Sequence, residues 1–404
     1  MKIQKPRGTQ DIFFENSSKF EFILQIAQKL AKKHNYHTIK TPTFEHVELF
    51  ERNIGEQTDA VSKELYRFSD RGDRNLALRP EFTASIARAY TENSELSSYP
   101  APLRMFSSGQ LFRYNRTQKG RYREFHQINF ESYNEISDIP TLILAIEILR
   151  EIGILEKTQL LFNYFGTAKK PYTQAVYEYF KQHEESLSQT SKERLEKNPL
   201  RILDSNDPKD TSLFASMPKI ESFYSSEDLK HKNEIIAHLN TVPNLNFTLD
   251  ENLVRGLDYY TGIVFEFLAP IGENGEELAV LGGGRYDELV SQMGGKTTPA
   301  IGFAGGIERL LLCLGESMLN KQIFILNASS KPIYHLLNSI QAQIGSENSY
   351  QILDVEISKI GKTLQKLASI KNSFGVVVGA REIENKSAIL KDLNNNLEVG
   401  RVSL

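Results

Sequence analysis

The chain begins with helical spacing. Between Lys19 and Lys33, Phe20, Ile23, Leu24, Ala27, Leu30 and Ala31 recur at intervals of three and four, which predicts an amphipathic helix. Extended segments are expected around Thr38-Ile39-Lys40 and Leu65-Tyr66-Arg67-Phe68. Met105 to Glu131 reads as a strand, a basic loop and a second strand, and Pro140 to Ile152 as a helix. From Lys170 to Asn240 the sequence is polar and helical, rich in Lys, Glu and Ser, and it breaks at Pro243; an insertion riding on a larger domain is expected there. Strand and glycine signals return from Val254 to Ile307, ahead of a helix from Ile307 to Leu314. A second alternation starts at Ile323: Phe324-Ile325-Leu326, a helix from Pro332 to Ile344, Ile352-Leu353, a helix from Lys362 to Lys371, then Val376-Val377-Val378. Strands alternating with helices predict a compact α/β domain with a mainly parallel sheet. At 404 residues the chain exceeds what one core sustains, so two or three domains are expected.

The sharpest local pattern lies in the second strand of the hairpin. Gln127, Asn129 and Glu131 share one face, and His126, Ile128 and Phe130 the other. Alone, this is a sheet with one solvated face. The preceding loop changes the reading. It carries Arg116, Lys119, Arg121 and Arg123 around Tyr122, which suits phosphate and unstacked bases. A row that mixes an amide and a carboxylate can orient an amine or an imidazole. His126, on the opposite face, is expected to be a packed histidine. Farther on, Arg255, Asp258, Tyr259 and Tyr260 gather beside Gly256 and Gly262, where a ligand could approach the backbone. Leu281 to Asp287 and Pro299 to Leu310 join glycine runs to a helix bearing Arg309, so a flat base or a phosphate could lie beside a guanidinium.

Composition narrows the classes. A net charge of -3 gives no global attraction for nucleic acid, so RNA contact must come from local basic patches. The single cysteine, Cys313, excludes an internal disulfide framework; its apolar setting predicts a buried thiol. No signal peptide and no apolar run of about 18 residues is visible, which predicts a cytoplasmic protein without a membrane span. Arg71-Gly72-Asp73 reads as a polar turn. Gly295-Lys296-Thr297 is not the end of a P-loop, because Val290 stands where that motif needs glycine. The eight histidines are scattered, and no metal-ligand spacing is present.

Taken in order, these segments resemble the signature motifs of histidyl-tRNA synthetases. Tyr36 to Asp70, with Pro42, resembles motif 1 of the class II enzymes. Leu78-Arg79-Pro80-Glu81-Phe82-Thr83-Ala84 resembles the family's Arg-Pro-Glu-Gly-Thr-Ala segment, and Phe112 to Glu131 resembles motif 2. Val254 to Tyr260 and Gly283-Gly284-Arg285-Tyr286-Asp287 resemble the two histidine-specific motifs, Gly302 to Arg309 motif 3, and Asn198 to Asp204 a segment of the insertion. The resemblance spans nearly the whole chain.

It implies an α/β fold: a class II antiparallel-sheet catalytic core at 1–168 and 243–321, a helical insertion at 169–242, and an α/β anticodon-binding domain at 322–404. It implies activation of histidine with ATP and Mg²⁺, transfer to tRNA(His), and a homodimer closed through motif 1. Arg113 and Arg255 would be catalytic, clamping the carboxylate and the α-phosphate. Arg309 would hold the γ-phosphate, with Arg113 and Asn115 also at the ATP. Glu81, Thr83 and Gln127 would bind the α-amino group; Glu131 and Tyr260 would bind the imidazole nitrogens; Tyr259, Tyr286 and Phe82 would shape the pocket. Arg116, Lys119, Arg121 and Arg123 would meet the tRNA acceptor end, and Lys359, Lys362, Lys366 and Arg381 the anticodon. The chain departs from the family pattern at Phe82 (usually glycine), Asn115 (usually glutamate), Thr117 (usually proline) and Ile263 (often threonine), and a final helix of many relatives is not evident after Val402. The resemblance also admits a non-catalytic relative, the synthetase-like regulatory subunit of ATP phosphoribosyltransferase. A plain RNA-binding protein on the same fold would not need the full set of polar residues.

Overall fold

Eight strands form one sheet in the order His37–Thr38, Leu103–Phe112, Glu124–Tyr133, Ala300–Gly306, Glu277–Arg285, Ile263–Pro270, Gln159–Tyr164, Asn246–Leu249. The six inner strands pair antiparallel, and the strand at each end is parallel to its neighbour. This computed structural model describes residues 3–54, 64–255, 259–314, 321–329, 331–345 and 348–404. Part of the motif 1 region (55–63) and Gly256-Leu257-Asp258 therefore lie outside the described residues. The chain divides into two compact units, Met1–Leu314 and Gly315–Leu404.

The two faces of the large sheet differ because its strands alternate. Ile128, Phe130, Phe303, Phe265 and Phe267 point to one side and are fully buried or nearly so. Three helices cover that side: Phe14–Lys33, Ile139–Ile152 and Ile307–Cys313. The first presents Ile23, Ala27, Leu30 and Ala31 to the sheet, as its spacing predicts, together with Ile26, while Phe20 and Leu24 are only partly buried. The second starts with Pro140 in its first turn and stops at Gly153, whose φ of 80° suits a residue without Cβ. Cys313 is buried among these helices, and burial raises its thiol to about 11, so it is a core residue.

The other face carries Gln127, Asn129 and Glu131 and is not left to solvent. The polar helical stretch, with helices Lys169–Gln182, Gln189–Lys197 and Ser226–Asn240, lies between strands Gln159–Tyr164 and Asn246–Leu249. A small sheet, Phe44–His46, Asn75–Leu78 and Arg67–Ser69, precedes helix Thr83–Glu92.

The second unit has five strands in the order Ser349–Asp354, Gln322–Asn327, Ser373–Val378, Ser387–Asp392, Leu397–Ser403. The first three are parallel; the last two add an antiparallel hairpin, so the sheet is mixed where alternation alone predicts mainly parallel pairing. Ile323 and Ile325 pack on one face with Val376 and Val378, while Phe324 and Leu326 pack on the other with Leu367. A strand covered on both sides needs the continuous apolar run seen at 323–326. The last element before Leu404 is a strand. Among the described residues, no helix is long and apolar enough to cross a membrane.

Candidate active site

Cross-strand register builds the floor. Glu131 lies opposite Gly302, which lies opposite Gly284. One step along, Asn129, Ala304, Gly282 and Glu266 form the next row, and Gln127 faces Gly306 on the third. The small residues are a steric requirement. A Cβ on Gly302 would fall on the Glu131 carboxylate, one on Gly282 would come within 2.7 Å of Arg255 Nη1, and one on Gly284 within 2.7 Å of the Tyr260 ring. The glycine runs thus let long side chains lie flat on the sheet. Above this floor is a cavity of about 440 Å³.

One end of the cavity is a buried polar nest. Glu131 is 1% exposed. Thr83 Oγ1 donates to it at 2.5 Å, Asn129 Nδ2 at 3.0 Å, and the Tyr286 hydroxyl donates to its second oxygen. Burial still dominates those donors and raises its carboxyl to about 7. Tyr259 packs edge-on to Tyr286 and beside Tyr260. Burial raises all three phenols, so they are neutral donors. Arg285 and Asp287 hold the motif rather than enter the cavity. Arg285 pairs with Asp138 at 2.6 Å, and Asp287 accepts from the Ala300 N–H at 2.9 Å.

Glu81 sits at the start of helix Thr83–Glu92 and accepts from the backbone N–H of Thr83 at 2.6 Å and of Ala84 at 2.7 Å, an N-terminal carboxylate cap. Burial raises its carboxyl, and these donors oppose the rise. Phe82 has negative φ, so glycine is not required there. Its ring lies under the Arg79 guanidinium at 4.5 Å and near Gly109, lining the cavity without closing it.

The other end is crowded with guanidinium groups. Arg113 is held by the Pro80 carbonyl at 2.9 Å and lies over Phe125 at 5.3 Å. Arg309 donates to the carbonyls of Gly120 at 3.0 Å and Ala279 at 2.6 Å. Burial, then the like charges of Arg121 and Arg113, pushes Arg309 down to about 10. Guanidinium groups gathered at one end of a partly desolvated cavity are stabilised by an anion. Arg255 is half-buried; burial is the largest single influence and lowers it, but the ion pair with Glu266 together with Tyr260 and Tyr259 raises it.

The structure therefore gathers Glu81, Phe82, Thr83, Arg113, Asn115, Arg121, Gln127, Arg255, Tyr259, Tyr260, Tyr286 and Arg309 around one cavity; Glu131 joins them through Thr83 and Tyr286. Of the loop cations, Arg116, Lys119 and Arg121 are exposed, whereas Arg123 stacks on Tyr114 at 3.8 Å. His126 lies on the far face, bonded to Glu308 at 2.8 Å and edge-on to Phe20. Sequence reasoning missed Glu64, Glu266 and Arg201 as lining residues, and put Asn129 on the right face without giving it a role. Glu266 had a signal: it is an acid inside the apolar strand Ile263–Pro270. Glu64 had none.

A six-stranded antiparallel floor with a carboxylate nest at one end and crowded arginines at the other is the catalytic fold of a class II aminoacyl-tRNA synthetase. The particular family follows from comparison with known proteins. Residues 8–310 match the model for histidyl-tRNA synthetase. The chain is 38% identical over 410 residues to the histidine–tRNA ligase of Orientia tsutsugamushi (strain Boryong), covering 98% of this chain and 96% of that one. It is similar to the crystal structure of apo S. aureus histidyl-tRNA synthetase, with a TM-score of 0.71 and 29% identity over 100% of this chain and 97% of that one. A structure described as an ATP phosphoribosyltransferase regulatory subunit/histidyl-tRNA synthetase from Bacillus halodurans C shares the fold, at 21% identity and a TM-score of 0.65 over 94% of this chain and 100% of that one. The chain belongs to the histidyl-tRNA synthetase family.

Proposed function

We propose that this chain is a histidine–tRNA ligase, which activates L-histidine with ATP and transfers it to tRNA(His). The observation that carries this reading is the Glu131 nest beside the arginine cluster. Above about pH 7 the Glu131 carboxylate is ionised and accepts only, so it takes an imidazole N–H, with the neutral hydroxyl of Tyr260 at the other ring nitrogen and Tyr259 and Tyr286 as walls. Glu81, Thr83 and Gln127 take the α-ammonium group. A site built this way rejects amino acids lacking both ring nitrogens by about 10⁴ or more, because its buried groups would be left unpaired.

Activation is attack of a histidine carboxylate oxygen on the α-phosphorus of ATP, with pyrophosphate leaving. Both reactants are anionic, so the barrier falls when positive charge surrounds the transition state. Arg113 and Arg255 serve there, and Arg309 holds the γ-phosphate. Mg²⁺ bound with ATP would supply further positive charge at this end of the cavity. Among the described residues no cluster of three metal-ligating side chains exists. In the second step a terminal ribose hydroxyl of tRNA attacks the acyl carbon and AMP leaves.

In this reading Arg116, Lys119, Arg121 and Arg123 meet the tRNA acceptor end. In this reading Lys359, Lys362, Lys366 and Arg381, all exposed, meet the anticodon; residues 322–404 are the anticodon-binding domain, 169–242 the insertion, and 1–168 with 243–321 the catalytic core. A cytoplasmic homodimer is the working form, closed along the sheet edge at His37–Thr38 and the segment through Pro42, where a surface groove runs. A regulatory subunit without catalysis would have no use for Arg113, Arg255 and Arg309 around one cavity. Histidine-dependent ATP–pyrophosphate exchange, followed by charging of tRNA(His), tests the proposal; absence of both sinks it.

A further inference from the structure

We propose that Glu64 is a positioning residue that makes the nucleotide site choose a 6-amino purine, by fixing which end of the Asn115 amide faces the base. This rests on the reading of the cavity as an ATP site.

The backbone holds the two residues together. The Tyr114 N–H donates to the Glu64 carbonyl at 2.7 Å, and the Tyr66 and Tyr114 rings meet edge-on at 5.6 Å. With its nitrogen toward the acid, the Asn115 amide donates to both carboxylate oxygens of Glu64, at 2.9 Å for Oε2. Both residues line the cavity, in the company of Arg113, Arg121 and Arg309.

An asparagine amide presents either a donor or an acceptor, and its two ends have nearly the same shape. Left alone, Asn115 would serve a 6-amino or a 6-oxo purine by turning over. Glu64 removes that freedom. A carboxylate only accepts, so the opposite orientation would set the amide carbonyl against two acceptor oxygens. With the NH₂ group occupied, the carbonyl is what Asn115 offers to a ligand. Adenine brings an exocyclic N–H to it; a 6-oxo purine brings a second acceptor. The neutral amide in the loop after strand Leu103–Phe112 and the acid from residue 64 thus act as one acceptor pair.

Pyrophosphate exchange with ATP and with ITP tests this. Glu64→Gln replaces the acceptor with a group that can turn either way. It is expected to raise the KM for ATP about tenfold and to narrow the ATP-over-ITP preference by a similar factor, while the KM for histidine and kcat at saturating ATP stay within about twofold. The double exchange Glu64→Gln with Asn115→Glu restores one acid and one amide and is expected to recover the preference. An unchanged ATP KM and preference in Glu64→Gln overturns the proposal, as does a folded double variant that remains unselective. If neither variant folds by circular dichroism, Glu64 is structural and the proposal is also overturned. Wild-type protein that shows no exchange with any nucleotide would instead refute the ligase reading.

Discussion

Glu131→Gln removes the charge of the nest while nearly keeping its shape, and two consequences can be worked out. The first is stability. Burial raises this carboxyl from 4.5 to about 7 against the pull of Thr83, Tyr286 and Asn129. Such a group favours its neutral form in the folded protein by about 3 kcal/mol, to order of magnitude. Because the folded value lies above the unfolded one, the folded chain holds this proton longer. The favourable contribution is fully present below about pH 4.5 and is lost as pH rises through about 7. Glutamine does not titrate. The stability of Glu131→Gln relative to wild type should therefore improve between about pH 5 and about pH 8, by up to about 3 kcal/mol. The second consequence is binding. Loss of a charge-assisted bond costs about 1.5–3 kcal/mol, so the histidine KM at about pH 8 should rise roughly 10- to 150-fold while the ATP KM stays put. Thermal melts across pH read the first effect, and exchange kinetics with each substrate varied read the second. A mutant-minus-wild-type stability difference that is flat with pH would show that Glu131 is not a buried ionisable group. Equal losses for histidine and ATP would make it a support of the sheet and not a ligand.

Arg255→Ala should lower exchange turnover by about 10²-fold or more with the fold and assembly intact, since the side chain acts on developing charge; a near wild-type rate would remove it from the mechanism. Gly302→Ala puts a methyl group on the Glu131 carboxylate. It should destabilise by about 1–3 kcal/mol and raise the histidine KM, and wild-type melting with an unchanged KM would show that the carboxylate can move aside. A chain shortened to end near Lys321 should keep histidine-dependent exchange and lose most aminoacylation, through tRNA binding that in the full chain weakens steeply with salt. Equal charging by both forms would remove the second unit from tRNA recognition. Analytical ultracentrifugation at micromolar concentration should give the mass of a dimer; a fully active monomer would refute the assembly proposed through motif 1.

The sequence speaks for strand faces and is silent on what covers them. Alternation in 124–133 puts Gln127, Asn129 and Glu131 on one side, and they are there. The natural reading of such a row is a wet face, yet Asn129 and Glu131 are each 1% exposed. Their lid comes from far along the chain: Thr83 is 48 residues from Glu131, and Tyr286 is 155 residues from it. No local periodicity encodes those distances. Glu64 escaped notice for the same reason, because its partner Asn115 meets it only through tertiary pairing.

Register is the deeper gap, and Glu266 shows why. Strand Glu277–Arg285 does not run evenly against Ile263–Pro270; the pairing slips by one residue between Ala279 and Leu281. Beyond the slip, Gly282 lies opposite Glu266. Without it, Phe265 would take that place and Glu266 would face Leu281, on the side where the helices pack. The irregularity therefore sets the acid beside a small residue over which Arg255 lies, and the ion pair between Arg255 and Glu266 follows from it. Composition marks Gly282 as permissive, but only the register says for which side chain. In a sheet where neighbouring strands come from distant parts of the chain, the residues that complete a site are fixed by such slips, and they become visible only once the strands are paired.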